Sequence, residues 1–302
     1  MAVQVELWKP EIIEFLAKDN QFFNYCVSAD EYVLQGKVVH IPQSGGAAAV
    51  ERNRSILPAV IVKRADTDIT YSLDEYTTDP VLIPNADVAE LSYDKRMSVV
   101  RENMGNLKEV AMDNLLHLWS QNIPTASKIK TTGSSTHTAT APGGTGTRKN
   151  LLNADLRSAQ KLLNNQNVAK DGRYVILTGD MLDQLLADLT AAQLYAFKDT
   201  ANVENGAVGR LWGFSILERS TCTVFDTSDA IKLPEAAGAT TDNIGCIFWQ
   251  RDMVERALGT INMFEQIGAP EYYGDIYSFL VRLGGRNRRT DNKGIGVILA
   301  DA

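Results

Sequence analysis

Residues 86–120, ADVAELSYDKRMSVVRENMGNLKEVAMDNLLHLWS, contain no proline and carry one continuous amphipathic pattern. Their apolar side chains recur at steps of three and four, the spacing of one face of an α-helix. Asn85 or Asp87 can cap the start, and Gly105 is the weak point. The stripe consists of Met97, Val100, Met104, Leu107, Ala111, Leu115 and Leu118. Such a helix would be roughly 50 Å long, a rod that a compact enzyme domain rarely needs.

The chain before this helix predicts two further elements. Residues 7–24 contain apolar side chains at helical spacing, so they predict a terminal helix that must dock on something. Residues 36–84 predict a long, thin β-excursion, in which Ile69, Tyr71 and Leu73 alternate with polar side chains. This segment has little apolar material for its length, so we expect neighbouring subunits to cover its strands.

After the helix, residues 124–150 are rich in Thr, Ser and Gly and predict a mobile loop or linker. A second α/β region follows. Residues 151–166 predict a helix, and residues 172–189 predict a buried strand, a turn and a helix near whose cap lies Thr178 or Asp180. Residues 206–220 predict a turn and a strand, and residues 243–259 predict a strand followed by a helix.

The C-terminal part predicts two strands with one apolar face each, around residues 277–283 and 295–299. Between them lies a basic stretch that contains Arg286, Arg288, Arg289 and Lys293, opposed only by Asp291. We expect a hairpin loop of about ten residues there, longer than usual.

Composition limits the possible functions. The chain has 302 residues and a formal net charge of −7, which argues against a dedicated nucleic-acid-binding protein. It is long enough for one large or two modest domains. Its three cysteines are far apart, so they predict neither a zinc site nor a disulfide framework. With no apolar run of about 18 residues, we expect a soluble protein made in the cytoplasm that does not enter a membrane.

We find no pattern that predicts catalysis. The three histidines, His40, His117 and His137, lie far apart, and the glycine-rich segments lack the spacing of a nucleotide-binding loop. Paired carboxylates occur at 66 and 68 and at 74 and 75, but a solvated strand face explains them more simply. We therefore predict no catalytic residue, no metal ligand and no cofactor, and no enzymatic activity.

The order of elements, together with several phrases of sequence, resembles the major capsid (coat) protein family of tailed double-stranded DNA bacteriophages. The phrases are GKVVHIPQSGG, TYSLDEYTTDPVLIPNADVAELSYDKRMSVV, GAVGRLWGFSILERS and GDIYSFLVRLGGRNRRTDNKGIGVILADA. The resemblance implies an α+β fold of the phage major capsid type. It divides the chain into an N-terminal arm (1–35), an extended β-loop (36–84), a peripheral domain with the spine helix (85–125 and 245–302) and an axial domain (126–244).

The resemblance also implies a function and partners. Members form homo-pentamers and homo-hexamers that close into an icosahedral shell around double-stranded DNA. The sequence lacks the long, charged N-terminal extension that acts as a built-in scaffold, so we expect that it was cleaved, that the chain is the mature form, or that a separate scaffolding protein does this work, and of these we favour the separate protein. A portal and decoration proteins are further expected partners, with assembly in the bacterial host cytoplasm and a final place in the virion. The alternatives are an encapsulin-like nanocompartment shell, or an α+β enzyme or binding module with an unrecognised site.

Three interpretations of the basic stretch compete: a solvated turn, a contact to packaged DNA, and pairing with an acidic surface of an adjacent subunit. Arginine forks bind carboxylates at two points, which favours subunit pairing. The candidate acidic partners lie in the extended loop. They are Asp74, Glu75 and Asp79.

Overall fold

The computed structural model describes residues 20–33, 38–55, 57–59, 61–84, 95–200 and 207–301. Most of the N-terminal helix that the sequence predicts, and the first turns predicted for the long helix at 86–94, lie outside these ranges. In chain order the α-helices are α1 (Lys95–Ser120), α2 (Asn153–Asn165), α3 (Gly179–Asp188) and α4 (Ala191–Asp199).

The strands of the described residues, in chain order, are β1 (Val27–Ser28), β2 (Val38–Gln43), β3 (Thr67–Ser72), β4 (Asp74–Thr77), β5 (Val81–Pro84), β6 (Lys128–Lys130), β7 (Thr136–Thr138), β8 (Thr147–Lys149), β9 (Arg173–Leu177), β10 (Ala207–Leu211), β11 (Phe214–Glu218), β12 (Thr223–Phe225), β13 (Asn243–Gln250), β14 (Val254–Ala269), β15 (Gly274–Asn287) and β16 (Ile295–Leu299).

The predicted long helix is confirmed over the described residues. Helix α1 has 26 residues, or about 39 Å of rod. Five stripe residues, from Val100 to Leu115, are buried, whereas Leu118 is half-buried. The buried face is wider than the sequence stripe because Met112, Leu116 and Trp119 also face inward.

Helix α1 packs across the first of two large sheets. In this first sheet β14 and β15 form a long antiparallel pair, β1 runs parallel to β14, and β4 and β5 both pair with β15. Gly285 of β15 lets the helix approach closely. A Cβ there would meet the side chain of Leu115 and lie 2.9 Å from the indole nitrogen of Trp119.

Residues 20–24 also dock on helix α1 and the first sheet. The chain forms a short 3₁₀ turn at Gln21–Asn24, in which Phe22 and Phe23 are buried. The ring of Phe22 meets Trp119 edge to face at 5.9 Å, and the guanidinium of Arg256 lies 3.6 Å from the ring centre of Phe23. Docking, which the sequence predicted for this terminal segment, is thus observed where the structure describes it.

The second large sheet has the strand order β10-β11-β9-β13-β16-β6, with β12 on the other part of β13. A second core lies between one face of this sheet and helices α2 and α3, and includes Leu156, Leu185, Phe214 and Phe248. The predicted strand, turn and helix at 172–189 are confirmed. Thr178 caps α3, since its hydroxyl accepts a hydrogen bond from the backbone N–H of Met181 at 3.4 Å.

Three predictions about residues 124–302 are wrong. The first is the helix after the strand at 243–250. Only a three-residue 3₁₀ turn at Arg251–Met253 follows, and then β14 begins. Residues 254–259 contain good helix formers, but β14 pairs with β15 from Val254 to Ala269. This pairing overrides the local helix propensity.

The second wrong prediction is the mobile linker at 124–150. The segment contributes β6 to the second sheet and forms a hairpin from β7 and β8. Arg148, which is only 5% exposed, holds this segment in place. Its Nε donates to Asn243 Oδ1 at 2.5 Å and its Nη2 to the carbonyl of Asp242 at 3.1 Å. Polar contacts and the ladder from β6 to β16 order this stretch, with a small apolar contribution from Ile129 and Ala141.

The third wrong prediction is the C-terminal hairpin. Strand β15 belongs to the first sheet, whereas β16 lies in the second sheet between β13 and β6. The basic stretch is therefore the crossover between two sheets and not a hairpin loop. Arg286, the first basic residue of this stretch, is still part of β15.

Candidate assembly interface

The extended loop has a buried base and an exposed tip. Strands β2 and β3 pair antiparallel from Val38–Ser72 to Gln43–Thr67. As the alternating pattern predicted, Ile69, Tyr71 and Leu73 point inward. Contrary to the expectation that neighbouring subunits must cover them, they pack with Val39, Ile41, Ala29 and Ala257 of the same chain.

The tip, residues 44–66, is different because the described part of it is exposed almost throughout. Four large apolar side chains there point into solvent: Val50 (99% exposed), Leu57 (78%), Ile61 (97%) and Val62 (73%). The neck of the tip is narrow and ordered, since Asp66 accepts from the backbone N–H of Gly45 at 2.9 Å and pairs with Arg64 at 2.6 Å. Apolar groups gathered on one exposed segment are typical of a contact surface.

The basic stretch places four cations close together, and we call them the basic cluster: Arg286, Arg288, Arg289 and Lys293. Its first two residues face the base of the extended loop. Arg286 Nη1 donates to the carbonyl of Thr70 at 2.9 Å. Arg288 Nε donates to Glu255 Oε2 at 3.0 Å, and its own carbonyl accepts from the Gln43 side chain at 2.5 Å. Both arginines therefore serve contacts inside the subunit.

The other two basic residues are more exposed and share one carboxylate. Arg289 binds Asp291 through Nε and Nη2 at 2.8 Å each, and Lys293 Nζ lies 3.4 Å from the same carboxylate. The hydrogen bonds from Arg289 hold the pKa of Asp291 well below its usual range and raise the pKa of Arg289. Two cations on one anion leave this end of the cluster with a net positive charge.

The acidic stretch, which contains Asp74, Glu75 and Asp79, lies on β4 and just after it, at the edge of the first sheet. Glu75 is opposite Arg282 on β15, and their side chains form an ion pair with a 3.0 Å contact. Asp74 and Asp79 are exposed, and neither makes an ion pair with another described residue. Glu75 and Asp79 also line a cavity of about 490 Å³ beside α1.

Within one subunit the structure does not bring the basic cluster and the acidic stretch together. The partner of Glu75 is Arg282, which sequence reasoning missed. Its outward parity in β15, between the inward Val281 and Leu283, was the available signal. Glu255, the buried partner of Arg288, was missed because residues 251–259 were predicted to be helical.

The three histidines stay apart. His40 pairs with Asp68 at 2.7 Å, His117 with the carbonyl of Lys232 at 2.9 Å and His137 with Asn150 at 3.1 Å. Over the described ranges, His, Cys, Asp and Glu side chains are nowhere gathered in threes as a metal ion would require. In those same ranges, every helix is too short or too polar to cross a bilayer.

A long helix laid across one sheet, a second α/β layer and a protruding β-hairpin with an exposed apolar tip make up an α+β subunit built around two large sheets. The chain belongs to the phage capsid protein family, whose sequence model matches residues 24–278. It is therefore a structural subunit of a phage capsid, with its place in the virion shell.

Solved structures show the same fold. A structure of Mycobacterium phage Che8 has a TM-score of 0.60 at 17% identity, with 92% of this chain and 90% of that chain covered. The capsid of cyanophage Pam1 has a TM-score of 0.63 at 9% identity, covering 95% and 93%. A virus-like particle from Pyrococcus furiosus has a TM-score of 0.56 at 10% identity, covering 99% of both chains. No curated protein matches the chain by sequence.

Proposed function

We propose that this chain is the non-enzymatic major subunit of an icosahedral shell, in which homo-pentamers and homo-hexamers enclose phage double-stranded DNA. The observation that carries this proposal is the extended loop. Its base is fixed within the subunit, while its tip exposes Val50, Leu57, Ile61 and Val62. We infer that the tip packs on an adjacent subunit.

A second exposed surface supports assembly. The far end of the β14–β15 pair carries Phe264 (53% exposed), Ile267 (55%), Tyr272 (55%) and Tyr273 (80%). The subunit thus exposes apolar side chains at two separate places, the tip of the extended loop and the far end of the β14–β15 pair. Such an arrangement suits a molecule that contacts several copies of itself. Burying either surface would be favourable by about 25 cal/mol per Å² of apolar area.

The domain division remains a proposal, with one adjustment. We propose an N-terminal arm (1–35), the extended loop (36–84), a peripheral part around α1 and the first sheet, and an axial part around the second sheet. Strands β13 and β16 pair with β9 and β6, so we count them with the axial part. Residues 251–287 stay with the peripheral part.

The remaining partners are proposed on the same basis. A separate scaffolding protein would guide assembly in the bacterial host cytoplasm, and a portal and decoration proteins would complete the shell. For the basic cluster we keep subunit pairing as the favoured role, now restricted to Arg289 and Lys293. These two side chains are half exposed, whereas Arg286 and Arg288 are engaged at the loop base.

The test is a pair of aspartates at the tip, Val50→Asp with Ile61→Asp. We expect a folded subunit that does not form shells in cells that also make the scaffolding protein. The matched control is Tyr195→Asp, a single change at another exposed apolar residue, on α4 (77% exposed). Shells formed normally by the tip variant would contradict the intersubunit role of the loop. Wild-type shells that are filled with protein cargo and free of DNA would favour the nanocompartment alternative.

A further inference from the structure

Side chains hold the β2–β3 hairpin against the rest of the subunit. Among the described residues these two strands pair only with each other and form a sheet of their own. Neither β2 nor β3 has a ladder of backbone hydrogen bonds to a large sheet, but β3 is followed after Leu73 by β4, which pairs with β15 of the first sheet. Beyond that connection, the direction of the hairpin depends on the apolar contacts at its base and on a small number of polar contacts.

Glu255 is at the centre of those polar contacts. Its side chain is only 6% exposed. One carboxylate oxygen accepts from the Tyr71 hydroxyl of β3 at 3.0 Å, and the other accepts from Arg288 Nε, also at 3.0 Å. A single buried carboxylate thus joins the hairpin, β14 of the first sheet and the crossover that follows β15.

The groups around Glu255 satisfy both of its carboxylate oxygens. Burial, followed by the charge of Glu255, raises the pKa of Tyr71, so that its hydroxyl stays a neutral donor. A buried carboxylate without partners is costly, and loss of one partner exposes that cost. Further contacts point to the same place, since Arg286 binds Thr70 and Gln43 binds the carbonyl of Arg288.

We propose that Glu255, Tyr71 and Arg288 form a latch that sets the direction in which the extended loop leaves the subunit. Glu255 is the positioning residue, and it acts on assembly through the loop. A rotation of about 10° at the base displaces a tip roughly 30 Å away by about 5 Å. The latch therefore determines where the tip meets the next subunit. This inference rests on the proposed role of the tip.

Two variants test the latch, Tyr71→Phe and Glu255→Gln. Tyr71→Phe keeps the packed ring and removes one donor, and Glu255→Gln removes the charge that binds Arg288. The control is Tyr76→Phe, on neighbouring strand β4, whose hydroxyl makes no hydrogen bond with the described residues. Hydrogen exchange of the unassembled subunit and the diameter distribution of assembled particles are the two measurements.

We expect exchange in residues 38–43 and 67–72 to become about tenfold faster in both variants, with β13 and β16 unchanged. We expect particles of mixed diameter from the variants and one diameter from wild type and the control. Unchanged exchange at the loop base, or faster exchange with unchanged particles, would overturn the latch. If wild type itself forms no particles, the proposed function fails, and the exchange rates then test only whether Tyr71 and Glu255 hold the loop base.

Discussion

Arg289 and Asp291 form a two-point contact, in which Nε and Nη2 of the guanidinium each donate to a different carboxylate oxygen at 2.8 Å. This geometry is the strong form of an arginine–carboxylate pair. It fixes the end of the basic cluster on the crossover between the two sheets, and it leaves Lys293, 3.4 Å from the same carboxylate, as the second cation on that carboxylate.

The depressed pKa of Asp291 makes a pH prediction. The carboxyl is more acidic in the folded chain than in the unfolded chain, so its contribution to stability is present above about pH 4 and is lost as the pH falls further. Asp291→Asn should lower the free energy of unfolding by less than about 1 kcal/mol at pH 7, since the pair is partly exposed. Urea unfolding at pH 7 and near pH 2 measures this, and an equal difference at both pH values would contradict it.

The charge of the cluster is tested by reversing the two residues that do not hold the loop base. Arg289→Glu with Lys293→Glu should block assembly of a folded subunit. Asp74→Arg with Asp79→Arg should restore it, since both aspartates are exposed and free of ion pairs with other described residues. Particle yield on a sizing column is the measurement. Normal assembly with impaired DNA packaging would instead place the cluster against the genome.

Arg148 is predicted to hold the β7–β8 hairpin on the second sheet. Arg148→Ala should destabilise the unassembled subunit by about 2–3 kcal/mol, because buried carbonyl and amide oxygens lose a charged donor. The control is Arg157→Ala, an exposed arginine over the ring of Trp212, for which we expect less than about 1 kcal/mol. Denaturant unfolding compares them, and equal effects would mean that Arg148 does not order this segment.

The long helix offers two neighbouring substitutions with opposite predicted effects. Met104→Pro removes a backbone hydrogen bond inside α1 and should cost about 3 kcal/mol or more. Gly105→Ala should stabilise the subunit by about 0.5–1 kcal/mol, since a Cβ there would meet nothing within 4 Å. Thermal unfolding of the two variants measures both. A destabilised Gly105→Ala variant would contradict the packing of this helix.

The features with a strong local signal were predictable from the sequence. The stripe of α1, the alternation of Ile69, Tyr71 and Leu73, and the cap of the helix after β9, expected at Thr178 or Asp180, each depend on neighbouring residues alone. Which sheet a strand joins depends on distant residues, so β16 was wrongly paired with β15. The helix formers after Val254 lose to pairing with β15, a contact that the local pattern does not contain.

The candidate site was predictable only in part. The basic residues are conspicuous in the sequence, but their partners Glu255 and Thr70 lie far away along the chain. The acidic stretch was found, yet its observed partner, Arg282, belongs to a strand whose outward face had not been considered. Ion pairs between distant strands follow from register, and register is what the sequence alone does not supply.

The central claim, that this chain builds a closed shell, is tested most directly by the mass of the particles it forms. The protein should be made in bacteria, alone and together with a candidate for the proposed scaffolding protein, purified, and measured by sedimentation velocity and electron microscopy. The account predicts closed particles of megadalton mass and uniform diameter, built from this chain. A monomer or small oligomer under the same conditions, with no closed particles in the micrographs, would contradict it.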